Sequence, residues 1–214
     1  GSAVAIYDLG KVTQNANVKI SGGKFATTTN GRNAYDVLSL KDIGVTNPIT
    51  GFGDHSGAVS SAISGGTFSS DVSAYVAEGY VQNENGTVEQ LGETNAVAKI
   101  DDTYYKTLAD AIAAVSDDAT ITLLKDVTGT STLSVNKTVT IDLNGHKITG
   151  GDTRAIHVTG GTLTLTGTGV VTSKKTSAFD PNSSVIRVGD NNGDSNRAAG
   201  LILDENVTVD APES

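Results

Sequence analysis

The sequence predicts an all-β fold of the solenoid kind, in which short strands and sharp corners succeed one another and each circuit of the chain stacks on the last. Three observations carry this reading. In residues 138–150 (TVTIDLNGHKITG), Val139, Ile141 and Leu143 alternate with Thr138, Thr140 and Asp142, and because strand side chains alternate faces this marks a strand with one buried face. Asn144 and Gly145 then end the strand, since Asn tolerates the left-handed backbone and Gly adopts it freely. A further apolar run of Ile148, Ile156 and Val158 follows at once. Thirdly, one phrase recurs: Ile20-Ser21-Gly22-Gly23-Lys24-Phe25, Ile63-Ser64-Gly65-Gly66-Thr67-Phe68 and Val158-Thr159-Gly160-Gly161-Thr162-Leu163. Recurrence of strand and corner is the signature of stacked repeats.

Taken in order, residues 3–68 read as short strands separated by turns, beginning with Val4-Ala5-Ile6 and Val18-Lys19-Ile20. The Gly-Gly phrase is expected to form a corner leading into an inward apolar residue. Its first two copies are 43 positions apart, about two circuits at the ~20-residue period of such repeats. Between them, residues 30–57 are polar, glycine-rich and contain Asn47-Pro48, the composition of a long loop bulging from one corner. Ser70 to Val76 can make a short helical turn with Ser or Asp as its cap, stopped by Gly79. Tyr80-Val81-Gln82 and Thr87-Val88-Glu89 then flank Asn85-Gly86, a strong hairpin signal. Such a hairpin suits a terminator, covering a strand edge that would otherwise recruit another strand.

After a polar linker at 92–98 the chain begins anew. Ala98-Lys99-Ile100, Asp101-Asp102 and Thr103-Tyr104-Tyr105 predict a second hairpin, with both tyrosines placed as cap packing. Residues 107–115 predict the one helix: Thr107 and Asp110 make a capping pair, and Leu108, Ala111, Ile112 and Val115 share a face. A helix this short is marginal alone, so it is expected to lie as a lid on the apolar end of the first coil. Strands are expected at 120–124, 133–135, 139–143, 156–158, 162–165, 185–188, 201–203 and 207–209. Val139, Ile141, Leu143, Ile156, Val158, Leu163, Leu165, Ile186 and Val188 are expected to point inward.

Composition excludes several function classes. Apolar residues make up 37% of the 214, enough for a core but low for an enzyme with a deep one. Twenty-five glycines against three prolines fit many corners rather than a disordered or collagen-like chain. Cysteine is absent, which removes disulfide frameworks, thiolate metal sites and cysteine nucleophiles. The formal charge of −9 argues against nucleic-acid or anionic-membrane partners, which need a basic surface. No apolar run approaches a membrane span, and no signal peptide is present. Gly1-Ser2 reads as a cloning scar, and the lack of Met as the mark of an excised fragment.

Three blocks carry a family resemblance: residues 97–112 (VAKIDDTYYKTLADAI), 121–127 (ITLLKDV) and 141–146 (IDLNGH). Together they resemble the opening of right-handed parallel β-helix repeats in large surface proteins of gut Firmicutes. Residues 63–80 (ISGGTFSSDVSAYVAEGY) look like the end of the same repeat. The resemblance implies a right-handed parallel β-helix with a short capping helix and terminal hairpins. It implies also a secreted, cell-wall-attached, multi-repeat adhesin-like protein, whose ligand, protein or glycan, it leaves open. The expected organisation is a scar at 1–2, the C-terminal half of a repeat with its terminating hairpin at 3–92, and the N-terminal half of a repeat with its capping helix at 93–214. The terminator thus precedes the lid, as in a fragment cut out of phase from a tandem array or a circularly permuted one. Seven coils span roughly 30 Å, whereas the eight residues 91–98 reach at most ~26 to 29 Å. The expected partner is therefore a second copy, joined head to tail through open coil ends.

Chemistry is sought on the outer faces, where Asp142, His146, Arg154, His157, Arg187, Asp190, Asp194 and Asp204 are the candidates. Asp142 and His157 occupy outward positions and could approach across neighbouring coils, yet outward polar residues are also what any solvated sheet displays. His55, His146 and His157 lack metal-ligand spacing. No nucleophile elbow, phosphate loop or paired-carboxylate signature is present. Asp190-Asn-Asn-Gly-Asp-Ser-Asn196 is the most suggestive cluster: oxygen ligands from Asp190, Asn192 and Asp194 around a glycine turn suit Ca²⁺. The same residue types are ordinary turn formers, and the EF-hand glutamate is missing. The functional expectation is a non-catalytic structural or adhesive module displaying a ligand-binding or spacer face. The alternative is a glycan-binding or glycan-cleaving β-helix module, which an aromatic-lined groove with two carboxylates about 5 to 10 Å apart would favour.

Overall fold

The structure, a computed structural model, describes residues 3–8, 17–27, 33–39, 60–129, 131–151, 154–174, 184–189 and 198–211. Its regular structure is almost wholly β, with one α-helix and one 3-10 turn among the described residues. The chain divides into two compact units, Gly1–Leu91 and Gly92–Ser214.

In the first unit, β1 (Val4–Asp8) pairs in parallel with β3 (Tyr35–Ser39), and β2 (Asn17–Phe25) with β4 (Ser60–Phe68). Ile20 lies directly opposite Ile63. The two copies of the phrase are thus on adjacent strands, one step apart instead of the expected two. The physical reason is that closing a loop costs little more as it lengthens, so the residues between can grow without changing which strand comes next. Residues 30–57, expected to be irregular, contain β3. Tyr35 is buried there and meets Tyr75 edge-on, with ring centroids 5.0 Å apart. The rest of that segment, apart from residues 33–39, lies outside the described residues.

The Gly-Gly pairs of β2 and β4 are not corners either. They lie inside the strands, where the pairing register shifts and Gly23 and Gly66 take φ of 107° and 102°. Such a bulge re-aims the residues that follow, and here it brings Phe25 and Phe68 into a parallel stack with centroids 4.8 Å apart. The core of this unit gathers Ile20, Ala34, Tyr35, Ile63, Phe68, Val72 and Val88.

The outer edge of β4 is covered. A 3-10 turn, Ser73–Tyr75, forms with Asp71 Oδ1 accepting the Ser73 N–H at 2.8 Å, and Ile63 bridges to Val76 beyond it. The hairpin β5 (Tyr80–Gln82) and β6 (Val88–Gln90) follows as expected, turning through Gly86 at φ 83°. Gly86 lends its carbonyl to the Phe68 N–H at 2.9 Å, and the Gln82 amide bonds both the Ser70 carbonyl and the Val72 N–H. These contacts satisfy backbone groups that a bare strand edge would leave open.

The second unit starts with a turn in which Asn95 Oδ1 accepts the Gly92 N–H at 2.7 Å. The hairpin β7 (Ala98–Ile100) and β8 (Thr103–Tyr105) turns through Asp101 at φ 49°. Helix α1 (Leu108–Ala114) is capped by Thr107 Oγ1, which accepts the Asp110 N–H at 3.0 Å. Leu108, Ala111, Ile112 and Val115 are all buried, the face its periodicity predicts. Lys137 Nζ reaches the Val115 carbonyl at 2.7 Å, a cation at the negative end of the helix.

Strands then come in threes: β9 (Thr120–Leu123), β10 (Val127–Thr128) and β11 (Leu133–Val135); β12 (Val139–Asp142), β13 (Lys147–Thr149) and β14 (Ile156–Val158); β15 (Gly161–Thr166), β16 (Gly169–Thr172) and β17 (Ile186–Val188); and finally β18 (Ala199–Leu203) and β19 (Val207–Asp210). Each strand pairs in parallel with the third strand after it. Three sheets result, ordered β9-β12-β15-β18, β10-β13-β16-β19 and β11-β14-β17, and β7 adds to β9 antiparallel. Here the third Gly-Gly phrase does turn a corner, from β14 into β15 with Gly161 at φ 66°. The run Ile148, Ile156 and Val158 divides between two sheets. Strand β16 was not anticipated, because three residues in four of Gly-Val-Val-Thr are buried and no alternation is left to read.

Pairing in register stacks like on like. Ile121, Ile141 and Leu165 form one file and Val135 with Val158 another, all sealed from solvent. Of the nine residues expected inside, seven are buried, Ile186 is half-buried and Val188 is 43% exposed. Val188 continues the Val135–Val158 file, but β17 ends its sheet and no described strand covers it.

Candidate functional site

Across β9, β12 and β15 the outward face of the first sheet of the second unit is built largely of threonine, and on β18 it ends in the exposed Ile202. Thr120, Thr140 and Thr164 stand in one file, and Thr122, Asp142 and Thr166 in the next. Neighbouring strands are about 4.8 Å apart, so the face is a flat lattice of hydroxyl and methyl groups. The Asp142 carboxylate is committed to the backbone: its Oδ1 accepts the Asn144 N–H at 2.9 Å and fixes the turn after β12.

At the corner between the first and second sheets, Asp126 and His146 stand one strand triplet apart. His146 Nδ1 is 3.3 Å from Asp126 Oδ1, and the same oxygen accepts the Lys147 N–H at 2.9 Å. That backbone bond first, and the imidazole second, hold the Asp126 carboxyl below its usual range. The pair stays wet, with the Asp126 side chain 70% exposed. Sequence reading missed Asp126. The signal available was its place three residues after Leu123, matching His146 three residues after Leu143.

On the third sheet, register aligns Ser134, His157 and Arg187 in one file. His157 Nε2 lies 2.8 Å from the Gly189 carbonyl, so that nitrogen carries the proton and Nδ1 is left as an acceptor in the neutral ring. Arg187 Nη1 is buried and has no hydrogen-bond partner among the described residues. Ser134 also borders a groove beside α1 that Ile112, Ala113, Leu133, Lys137 and Thr159 line. Chemically the file offers a hydroxyl, the Nδ1 acceptor of an imidazole and a guanidinium, groups suited to a polyhydroxylated or anionic ligand.

Asp142 and His157 do not approach each other across the strands: they are on different sheets, with Thr122 and Thr166 flanking the first, Ser134 and Arg187 the second. Arg154 is half-buried just before β14, and Asp204 closes the turn between β18 and β19, its Oδ1 accepting the Glu205 N–H at 2.7 Å. Asp190, Asn192 and Asp194, the residues suited to Ca²⁺, lie outside the described residues. Among the described residues there is no group of three or more His, Asp or Glu placed to hold a metal. No described helix is long and apolar enough to cross a membrane.

Compared with protein-family models, curated proteins and solved structures, the chain matches none.

Proposed function

We propose that the chain is a right-handed parallel β-helix, with a capping helix and terminal hairpins, that serves as a non-catalytic structural or adhesive module of a bacterial cell-surface protein. It works outside the cell, attached to the wall, and displays a face to a host or bacterial surface ligand. The succession of strands in threes, each paired with the third after it, supports the β-helix. The observation that carries the function is the threonine lattice of β9, β12 and β15, whose Asp142 carboxylate is held by its own turn. Such a surface binds by shape and many weak contacts and offers no acid–base pair for bond cleavage. Incubation with a panel of plant and host polysaccharides is expected to release no reducing ends or unsaturated products. Sustained turnover would refute the non-catalytic reading.

A second reading, a glycan-binding or glycan-cleaving module, is favoured by the Ser134, His157 and Arg187 file. A glycan array that includes uronate- and sulfate-bearing sugars tests it, with Arg187→Ala as the control. Retention of acidic glycans by the wild-type chain and its loss in the variant would favour this reading over the spacer.

A further inference from the structure

Among the described residues the exposed large apolar side chains are Val188, Ile202, Leu203 and Val209, and all four belong to β17, β18 and β19, the last strands of the three sheets of the second unit. Three of them end files whose preceding members on the neighbouring strand are sealed. Leu203 follows Ile121, Ile141 and Leu165, each 0% exposed, yet is 45% exposed itself. Val209 follows Ile148 and Val171 on the second sheet, and Val188 follows Val135 and Val158 on the third. Among the described residues, no strand pairs with the outer edges of β17, β18 or β19. At the beginning of the same unit β7 pairs with β9, and α1 packs against β7, β8, β9 and β11.

The first unit has the opposite polarity. In its β2–β4 sheet the last strand, β4, is covered by the 3-10 turn and the β5–β6 hairpin, while the outer edge of β2, like both outer edges of the β1–β3 pair, is unpaired among the described residues. Val4 and Val18 on those strands are only half-buried. Among the described residues, one unit therefore lacks a following layer and the other lacks a preceding one on β2. Both build parallel strands, and both carry the Gly-Gly phrase.

We propose that the open last layer of the second unit of one molecule receives the open first layer of the first unit of a second copy, so that the chain assembles head to tail into filaments. Unpaired parallel edges supply the hydrogen bonds, and the exposed file ends supply the apolar contact. A second copy fits better than the same chain. Bringing both open edges of one chain together would require the segment between β6 and β7 to span about six strand spacings, roughly 29 Å. The eight steps from Gln90 to Ala98 reach ~26 to 29 Å only when fully extended, and the segment is instead folded into a turn by Asn95 and by the Ala96 N–H on the Gly92 carbonyl at 2.9 Å. A contact joining two different surfaces does not close on itself and propagates. The proposal does not depend on any ligand, so it stands or falls separately from the adhesive reading.

Complementation of edge variants tests it, with the full chain followed by sedimentation velocity over a wide concentration range. The wild type is expected to gain mass with concentration. Leu203→Asp, and separately Val18→Asp, are each expected to stay monomeric, since each blocks one edge. An equimolar mixture of the two is expected to stop at a 1:1 dimer, the remaining good edges being complementary. Val209→Asp and Val4→Asp replace either variant whose circular dichroism shows misfolding. A wild type that stays monomeric at the highest concentration, a single variant that still grows, or a mixture that does not dimerise would each overturn the proposal. So would a monomer in which the two edges of one chain can be cross-linked.

Discussion

Asn144 reaches back from a left-handed turn, φ 47°, to donate its side-chain amide to the Leu123 carbonyl at 2.9 Å, one strand triplet earlier. The same side chain type that permits the turn therefore ties two successive layers together. Asn144→Ala removes the bond and leaves a β-carbon in a conformation that costs about 1 to 2 kcal/mol, so a loss of about 2 kcal/mol in urea unfolding is expected. Asn144→Gly keeps the turn and should lose only about 1 kcal/mol, the typical worth of the hydrogen bond. Equal losses in both variants would show that the bond to Leu123, not the backbone conformation, accounts for the effect.

Ile141 and Leu203 separate core from edge. Both sit in the same file, but Ile141 is sealed between Ile121 and Leu165 while Leu203 has a partner on one side only. Ile141→Ala should destabilise by about 2 to 5 kcal/mol as a large-to-small core change. Leu203→Ala, measured at low concentration, should cost less than about 1.5 kcal/mol, in line with partial burial. Chemical denaturation of the two variants side by side reads the difference.

Gly86 is where the hairpin docks on β4. A β-carbon there would meet the Phe68 carbonyl oxygen, and the backbone is already left-handed at φ 83°. Gly86→Ala should therefore lift the hairpin and cost more than about 1 kcal/mol. Hydrogen exchange would report it as faster exchange at the Phe68 amide, while Asn85→Ala, one position earlier, should leave that amide protected.

Asp126 gives the stability a pH dependence whose sign follows from its depressed folded-state pKa. A carboxyl lowered on folding stabilises fully above its unfolded value, and that contribution is lost as pH falls through the folded one. Its share should thus be intact at neutral pH, begin to fall near pH 4, about the ordinary carboxylate value, and be gone only below the lowered folded-state value. Melting temperatures of Asp126→Asn and wild type should differ at pH 7 and converge in acid. A constant gap down to the lowest pH that keeps the fold would show that the carboxylate charge is not the cause.

Local sequence determined what depends on neighbours in the chain. Alternation placed the strands at Val139, Ile156 and Leu163; Thr107 and Asp110 set the helix start; Asn85-Gly86 and Asp101-Asp102 set the hairpins, because caps, turns and alternation are decided within a few residues. Tertiary structure alone decided what depends on pairing. Which strand follows which across a loop of arbitrary length, as with Ile20 and Ile63, is not written locally. Nor is a strand buried on both faces, such as β16, distinguishable by period. The candidate site was legible only as a set of polar residues. Stacking put His157 beside Arg187 and away from Asp142, since parallel register brings together residues about one circuit apart in sequence, and the number of residues in each circuit is set by its corners. Val188 shows the same division. Its inward place was readable from alternation, but its exposure follows from having no covering strand among the described residues, and burial needs a neighbour that sequence position does not supply.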